Sequence, residues 1–319
     1  MNMSYTDNSS PYTVNKLVSV IVPTFNDTLE DLLQTVNSVL LQTHNNLELI
    51  VVDDGSVIPF ADINFLVDDK RVRFVPLYNN CGVAHARNQG ISRARGEYIA
   101  FLDTGDWWES RKLEKQLKIL SEKDVKWVYT SIVNHTPDGY TTYSYANQEG
   151  RVYDKLLIEQ IIKGSSSSVM VRKDLLYQTG FFYDLEDIIE DWDMWIRLSQ
   201  ISRVAFVYEP LVHLKRFSNS SRSFQYQKID RLKNFINRHW DNYVCENLTN
   251  FALGWLQKKS GLIHLYNNKP IKGIASWIKL LKYKPLWFPF HLFPIAIISI
   301  VYPSCFKKLH YYYLLFKTK

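Results

Sequence analysis

At 319 residues the chain exceeds one typical domain, and 46% hydrophobic residues suffice for a core, so the length predicts one large domain with an appendage or two domains. Three distant cysteines, Cys81, Cys245 and Cys305, show no Cys-x-x-Cys spacing, so neither a disulfide framework nor a zinc site is indicated, which fits reduced thiols in a cytoplasmic protein. The net charge of +6 joins two unlike parts: residues 1–224 hold 23 Lys/Arg against 29 Asp/Glu, whereas residues 225–319 hold 15 against 3.

Met1 to Lys16 is polar, lacks the basic start and apolar run of a secretory signal, and reads as a disordered leader. Leu17 to Val22 is a β-branched run ending at Pro23, the pattern of a buried parallel strand. Thr28 is placed to cap a helix with Leu32, Leu33, Val36, Val39 and Leu40 at helical spacing. Leu47 to Val52 is a second buried strand, ending on Asp53 and Asp54, so the pattern is βαβ with a right-handed crossover. Arg71 to Val75 predicts a third strand, and a helix follows through Ala84, Arg87 and Ile91.

Tyr98 to Leu102 predicts the fourth strand, stopping at Asp103, with a glycine turn that delivers Asp106. Glu109 to Leu120 reads as an amphipathic helix and Val125 to Thr130 as a strand. Tyr140 to Tyr145 reads as hairpin or loop, Asp154 to Ile162 as a helix, and Val169 to Val171 as a short strand. Asp184 to Leu198 brings a second acid cluster onto a helix start, and Val204 to Val207 is a further short strand. From Lys228 the pattern is helical, with Ile274, Trp277, Ile278 and Leu281 on one face of a segment whose other face carries lysines.

Three groups of residues carry chemistry. Asp53, Asp103 and Asp106 stand at strand ends, where open α/β sheets bind ligands, and carboxylates there suit the divalent cation that a diphosphate substrate needs. Asp53 would be free to accept a hydrogen bond from a base or ribose, although each acid could instead cap the helix that follows. Glu190, Asp191 and Asp193 cluster beside Trp192 and Trp195; Asp187 with Glu190 resembles a variant capping box, and a carboxylate desolvated by indoles suits a general base. Asn80 to Gly82, with Arg87 one turn into the helix, could bind an anion through backbone amides, or Arg87 could pair with Asp54.

Together the motifs resemble family 2 glycosyltransferases, inverting enzymes of the GT-A fold. The resemblance rests on Ser19 to Asn26 (SVIVPTFN), Gln42-Thr43, Glu48 to Ser56 (ELIVVDDGS), Asn80 to Gly82, Ala86 to Gly90 (ARNQG), Gly96 to Asp103 (GEYIAFLD), Lys112 to Gln116 (KLEKQ), Glu190 to Asp193 (EDWD) and Glu209 to Leu211. It implies an α/β GT-A domain over residues 17–224, a Rossmann-like nucleotide-binding mixed sheet with flanking helices. It also implies that Pro23, Thr24, Phe25, Asp53, Arg87 and Asp103 hold the nucleotide, with Phe25 on the base. Asp191 would be the base that deprotonates the acceptor hydroxyl, and Glu190 would position it. A divalent cation, Mn or Mg, would be held by Asp103 and Asp106. The pattern departs at Gly105, where the family commonly has an acid; either Asp106 takes over, or Asp103 alone binds metal weakly, or catalysis is impaired and the protein only binds nucleotide sugar. His213 is a candidate extra ligand.

Residues 225–319 read as a helical, basic and aromatic region. Pro285 to Phe306 is 22 residues without an acid, Lys or Arg, but prolines at 289, 294 and 303 leave no uninterrupted run long enough to span a bilayer, and lysines flank both ends. The expectation is peripheral attachment to the inner face of the cell membrane, suited to a lipid-linked glycan acceptor. Nucleic acid is not expected as a partner, because the lysines alternate with long aliphatic runs.

Overall fold

The computed structural model describes residues 15–57, 67–164, 166–183, 189–215, 230, 233–239, 241–242, 248–283, 289 and 296. They fall into two compact units, the first holding every strand and the second a helical pair. Residues 1–14 of the leader, most of the 285–306 run, Asp187, Cys245, Cys305 and the expected boundary at residue 224 lie outside the described residues.

In the first unit the chain runs β1 (Val18–Thr24), α1 (Leu29–Leu40), β2 (Leu47–Asp53), β3 (Val72–Pro76), α2 (Val83–Arg93), β4 (Tyr98–Phe101), β5 (Trp107–Trp108), α3 (Lys112–Glu122), β6 (Trp127–His135), β7 (Thr141–Ser144), α4 (Tyr153–Ile158), β8 (Met170–Arg172), α5 (Lys173–Thr179), α6 (Glu190–Ile201) and β9 (Val204–Lys215). The sheet order is β3-β2-β1-β4-β8-β6-β9-β5, with β7 on β6. β1 and β2 are buried at every position, as strands covered on both faces must be. They pair in parallel, and β4 joins β1 in parallel, so Thr24, Asp53 and Asp103 emerge at one edge. Thr28 caps α1 as its sequence predicts, its hydroxyl accepting from Asp31 N at 3.1 Å.

One face of the sheet packs on α1 and α3 through Val20, Leu49, Ala100, Leu32 and Leu117. The other meets α2 and α6. Gly90 lets α2 approach closely, since a Cβ there would lie 2.5 Å from Ile21 Cγ2, and Trp195 of α6 stacks on Trp127 of β6 at 5.9 Å.

Of the two readings of Tyr140 to Tyr145 the hairpin holds, with β7 antiparallel to β6 across a turn at Asp138-Gly139. Other elements differ from the sequence expectation. β9 does not stop at Val207 but continues through Pro210, because register shifts opposite Ser131 form a bulge that accommodates a residue without an amide proton. The expected helix over 154–162 is only the short α4.

The second unit contains α7 (Thr249–Tyr266) and α8 (Pro270–Tyr283), joined by a turn in which Asn268 has φ 57°. Gly261 and Gly273 bring the helices together, because a Cβ on Gly261 would run into the Trp277 indole. That close approach selects Gly273, Trp277 and Leu280 as the buried stripe of α8. The expected apolar face is therefore split: Trp277 turns inward, whereas Ile278 and Leu281 are exposed together with Ile271.

Candidate active site

Beyond the ends of β1, β2 and β4 lies a cleft of about 290 Å³, lined by Pro23, Thr24, Phe25, Asp27, Asp54, Gly82, Ala86, Asp103 and Thr104 among others. Phe25 presents a largely exposed ring there. Asn26, at φ 52°, turns the chain, and its amide donates to Ser56 Oγ at 2.9 Å. Ser56 in turn donates from N and Oγ to Asp53 Oδ1, at 3.0 and 2.6 Å. Buried Asp53 thereby fixes the two loops that frame the cleft.

Asp54 faces the cleft. Its carboxylate accepts from Cys81 N at 3.0 Å and Gly82 N at 2.7 Å. The amides that the sequence offered to an anionic ligand thus already hold an internal carboxylate, and Arg87 pairs elsewhere. Gly55 permits the approach: its φ is +77°, and a Cβ would sit 2.6 Å from the Asn79 carbonyl carbon. Cys81 is a free, exposed thiol.

Arg87 is the centre of the site. Its side chain is 2% exposed; Nη2 donates to Asp103 Oδ1 at 2.7 Å and Nη1 to Glu190 Oε1 at 3.2 Å. Burial alone would push the guanidinium down, but Asp103, Glu190 and Asp191 outweigh it and hold its pKa above the ordinary arginine value. One buried cation thus ties the strand-end acid to the first turn of α6, where Asp191 is half-buried with Oδ1 accepting from Trp192 N at 2.6 Å. The neighbouring indoles serve the core instead. Trp192 Nε1 donates to Leu156 O, and Trp195 packs on Trp127 and Phe182. Asp193, fully buried, is paired with Arg197 at 2.8 Å, so this acid of the cluster is structural.

Asp106 is held in place by hydrogen bonds to both oxygens. Its Oδ2 accepts from Ser167 Oγ at 2.7 Å and its Oδ1 from Lys215 N at 3.1 Å. Ser167 also accepts from Asp103 N at 3.1 Å, so one hydroxyl couples the two strand-end acids. Gly105 between them has φ +91°, a conformation in which an aspartate would be strained. Among the described residues no group of three or more His, Cys, Asp or Glu could by itself hold a metal ion. The donor set fits a hard cation in a narrower way: the partly exposed Asp103 carboxylate can serve as one ligand, with substrate phosphates supplying others.

His213 stacks on Trp107 at 5.0 Å, and its ring nitrogens lie 2.9 Å from His135 Nε2 and 2.8 Å from Glu109 Oε1. Burial and the adjacent His213 push His135 below the usual imidazole value.

Sequence reasoning gave three residues no role in the site. Asp27, whose Oδ2 accepts from Thr24 Oγ1 and Phe25 N, carries a pKa raised by burial despite those bonds. Its position just after the PTFN run was the available signal. Asp54 was visible beside Asp53 but its role depends on the distant Cys81 amide. Ser167 lies 61 residues from Asp106 and gave no local signal.

A sequence profile described as Glycosyl transferase family 2 matches residues 19–180. TuaG of Bacillus subtilis (strain 168), whose name assigns it to teichuronic acid biosynthesis, is 34% identical over 70% of this chain and 92% of its own length. GlyG of Streptococcus pneumoniae is 34% identical over 47% of this chain, and the match spans half of GlyG. Among solved structures, S. aureus TarS in complex with UDP-GlcNAc superposes with a TM-score of 0.56 at 19% identity, covering 83% of this chain and 90% of that one.

Proposed function

The chain belongs to glycosyl transferase family 2 and is a glycosyltransferase of GT-A fold; from that premise we propose that it moves one sugar from a UDP-sugar to a hydroxyl of a lipid-linked glycan, with inversion, in surface polysaccharide assembly. The observation that carries the reading is the Arg87 bridge, which fastens the Asp103 end of the nucleotide cleft to the helix start that presents Asp191. The UDP-GlcNAc complex of TarS and the biosynthetic name of TuaG support the donor and the pathway class.

Pro23, Thr24 and Phe25 would bind the nucleoside, Phe25 offering its ring to the base. Asp53 holds the loop that shapes this end. Asp191 would take the proton from the acceptor hydroxyl as it attacks the anomeric carbon from the side opposite the departing UDP. Glu190, restrained by Arg87, fixes the helix start beside it. A divalent cation, when bound at Asp103, would neutralise charge on the diphosphate. Asp106, each of whose oxygens accepts a hydrogen bond, could join through its remaining lone pairs.

No helix among the described residues is long and apolar enough to cross a membrane. α8 supports peripheral attachment instead. Its exposed Ile271, Ile278 and Leu281 lie among Lys272, Lys279 and Lys282, an apolar strip flanked by cations suited to an anionic leaflet.

One experiment tests donor, acceptor and attachment together. Labelled UDP-sugars incubated with the protein, manganese and bacterial membrane lipids are expected to move label into the solvent-extractable fraction. EDTA should abolish the transfer, and Lys272→Glu with Lys279→Glu should reduce it. Label appearing only in water-soluble product contradicts the lipid-linked acceptor. Binding of UDP with no transfer into either fraction supports the rival reading, a nucleotide-sugar-binding protein impaired by Gly105.

A further inference from the structure

A row of tyrosines lies on the sheet face that carries the proposed catalytic base. Tyr143 and Tyr145 stack at 6.2 Å with 12° between planes, and Tyr145 and Tyr208 at 5.1 Å with 16°. All three are solvent-exposed, at 57%, 45% and 62%. Tyr143 and Tyr145 come from the β7 segment and Tyr208 from β9, so the fold completes a row that local sequence only begins.

Two devices build it. The β6–β9 register passes from Thr130 opposite Val207 to Ser131 opposite Pro210, which leaves Tyr208 in a bulge and re-aims its ring. Ser131 Oγ then donates to Tyr208 O at 2.6 Å and accepts from Ala146 N at 2.8 Å, pinning both flanks of the row to one hydroxyl.

Register fixes where the row lies. β4 and β6 each pair with β8, and Ala100 and Val128 both face Met170. Asp103 and Ser131 stand three residues further along their strands, hence at one level of the sheet, two strand spacings or roughly 10 Å apart. Tyr143 lies opposite Val133, and cross-strand partners project to one face. Val133 shares its face with Trp127, on which Trp195 of α6 stacks, and α6 begins at Glu190 and Asp191. The tyrosines therefore border the edge and the face where the acceptor hydroxyl must arrive.

Resting on the glycosyltransferase reading above, we propose that Tyr143, Tyr145 and Tyr208 form the binding ledge for the acceptor's saccharide chain, stacking successive sugar rings as the terminal hydroxyl enters beside Asp191. The ledge segment, residues 139–148 (GYTTYSYANQ), contains no charged residue. A lipid headgroup or nucleic acid would call for cations there, whereas uncharged aromatic faces rimmed by hydroxyls match a polyhydroxylated ring with an apolar face.

The test uses full-length protein on a printed array of neutral and acidic oligosaccharides, with UDP binding measured by calorimetry on the same samples. Wild type is expected to bind array glycans. The pair Tyr145→Ala and Tyr208→Ala should weaken that binding by about tenfold, in line with the loss of two ring contacts. Tyr145→Phe and Tyr208→Phe, which keep the rings and guard against a folding artefact, should retain it, and UDP affinity should not change in any variant. No glycan binding by wild type, or equal binding by the alanine pair, overturns the ledge. Failure of the transferase reading registers separately, as absence of UDP binding by wild type, and the ledge falls with it only if the glycan signal is also missing.

Discussion

Asp191→Asn is expected to lower sugar transfer by about 10²- to 10⁴-fold, the range spanned by general-base catalysis, while UDP affinity stays within about twofold. Asparagine keeps the size of the side chain and can still accept from Trp192 N, the bond seen at 2.6 Å. It cannot take a proton. The loss should therefore lie in kcat, with the donor KM little altered, since the cleft is lined from the ends of β1, β2 and β4 and the start of α2, with no residue of α6. Steady-state kinetics on a UDP-sugar decides the matter, and a variant retaining more than about a tenth of wild-type kcat would remove Asp191 from the role.

Arg87→Met should have the largest effect on stability. The guanidinium is buried, while its partners Asp103 and Glu190 are 32% and 23% exposed. Removing one member of a buried ion pair costs about 3–5 kcal/mol. The partial exposure of both acids places this case near the lower end, about 3 kcal/mol, because water can relieve part of the stranded charge. For a unit of this size that corresponds to a fall in Tm of roughly 6–12 °C. Adding Glu190→Gln to Arg87→Met should recover part of the loss, as one of the uncompensated carboxylates is then neutral. Unchanged melting of the single variant would show that the bridge contributes nothing.

The fold was legible where burial dictates composition. β1, β2 and β4 lie between helical layers and read as apolar runs broken only by the Ser19–Glu48 pair, and α1 announces itself through Thr28 and the spacing of Leu32, Val36 and Val39. β7 was legible only as one of two alternatives, hairpin or loop. Its residues are largely exposed, and only pairing with β6 makes it a strand. β5 has two residues, too few for any periodicity. On α8, spacing named an apolar face, but the glycine contacts with α7 chose which part of it is buried.

At the site, the sequence supplied Asp103, Arg87, Glu190 and Asp191, and the structure brings all four together. It could not show how they are joined, because the bonds span long separations, 103 residues between Arg87 and Glu190. Several residues of the recognised motifs serve the scaffold. Gln42 accepts from Leu113 N and donates to Glu109 O. Glu48, buried, accepts from Ser19 Oγ, Arg95 N and Arg95 Nε. A motif records which residues a fold needs without separating those that touch substrate from those that hold the frame.

The central claim, that Asp191 directs an acceptor hydroxyl against the sugar opposite the departing nucleotide, is tested most directly by the anomeric configuration of the product. NMR of the sugar transferred from an α-linked UDP-sugar should show a β-linkage. An α-linkage would require attack on the same face as the departing UDP and would contradict the account.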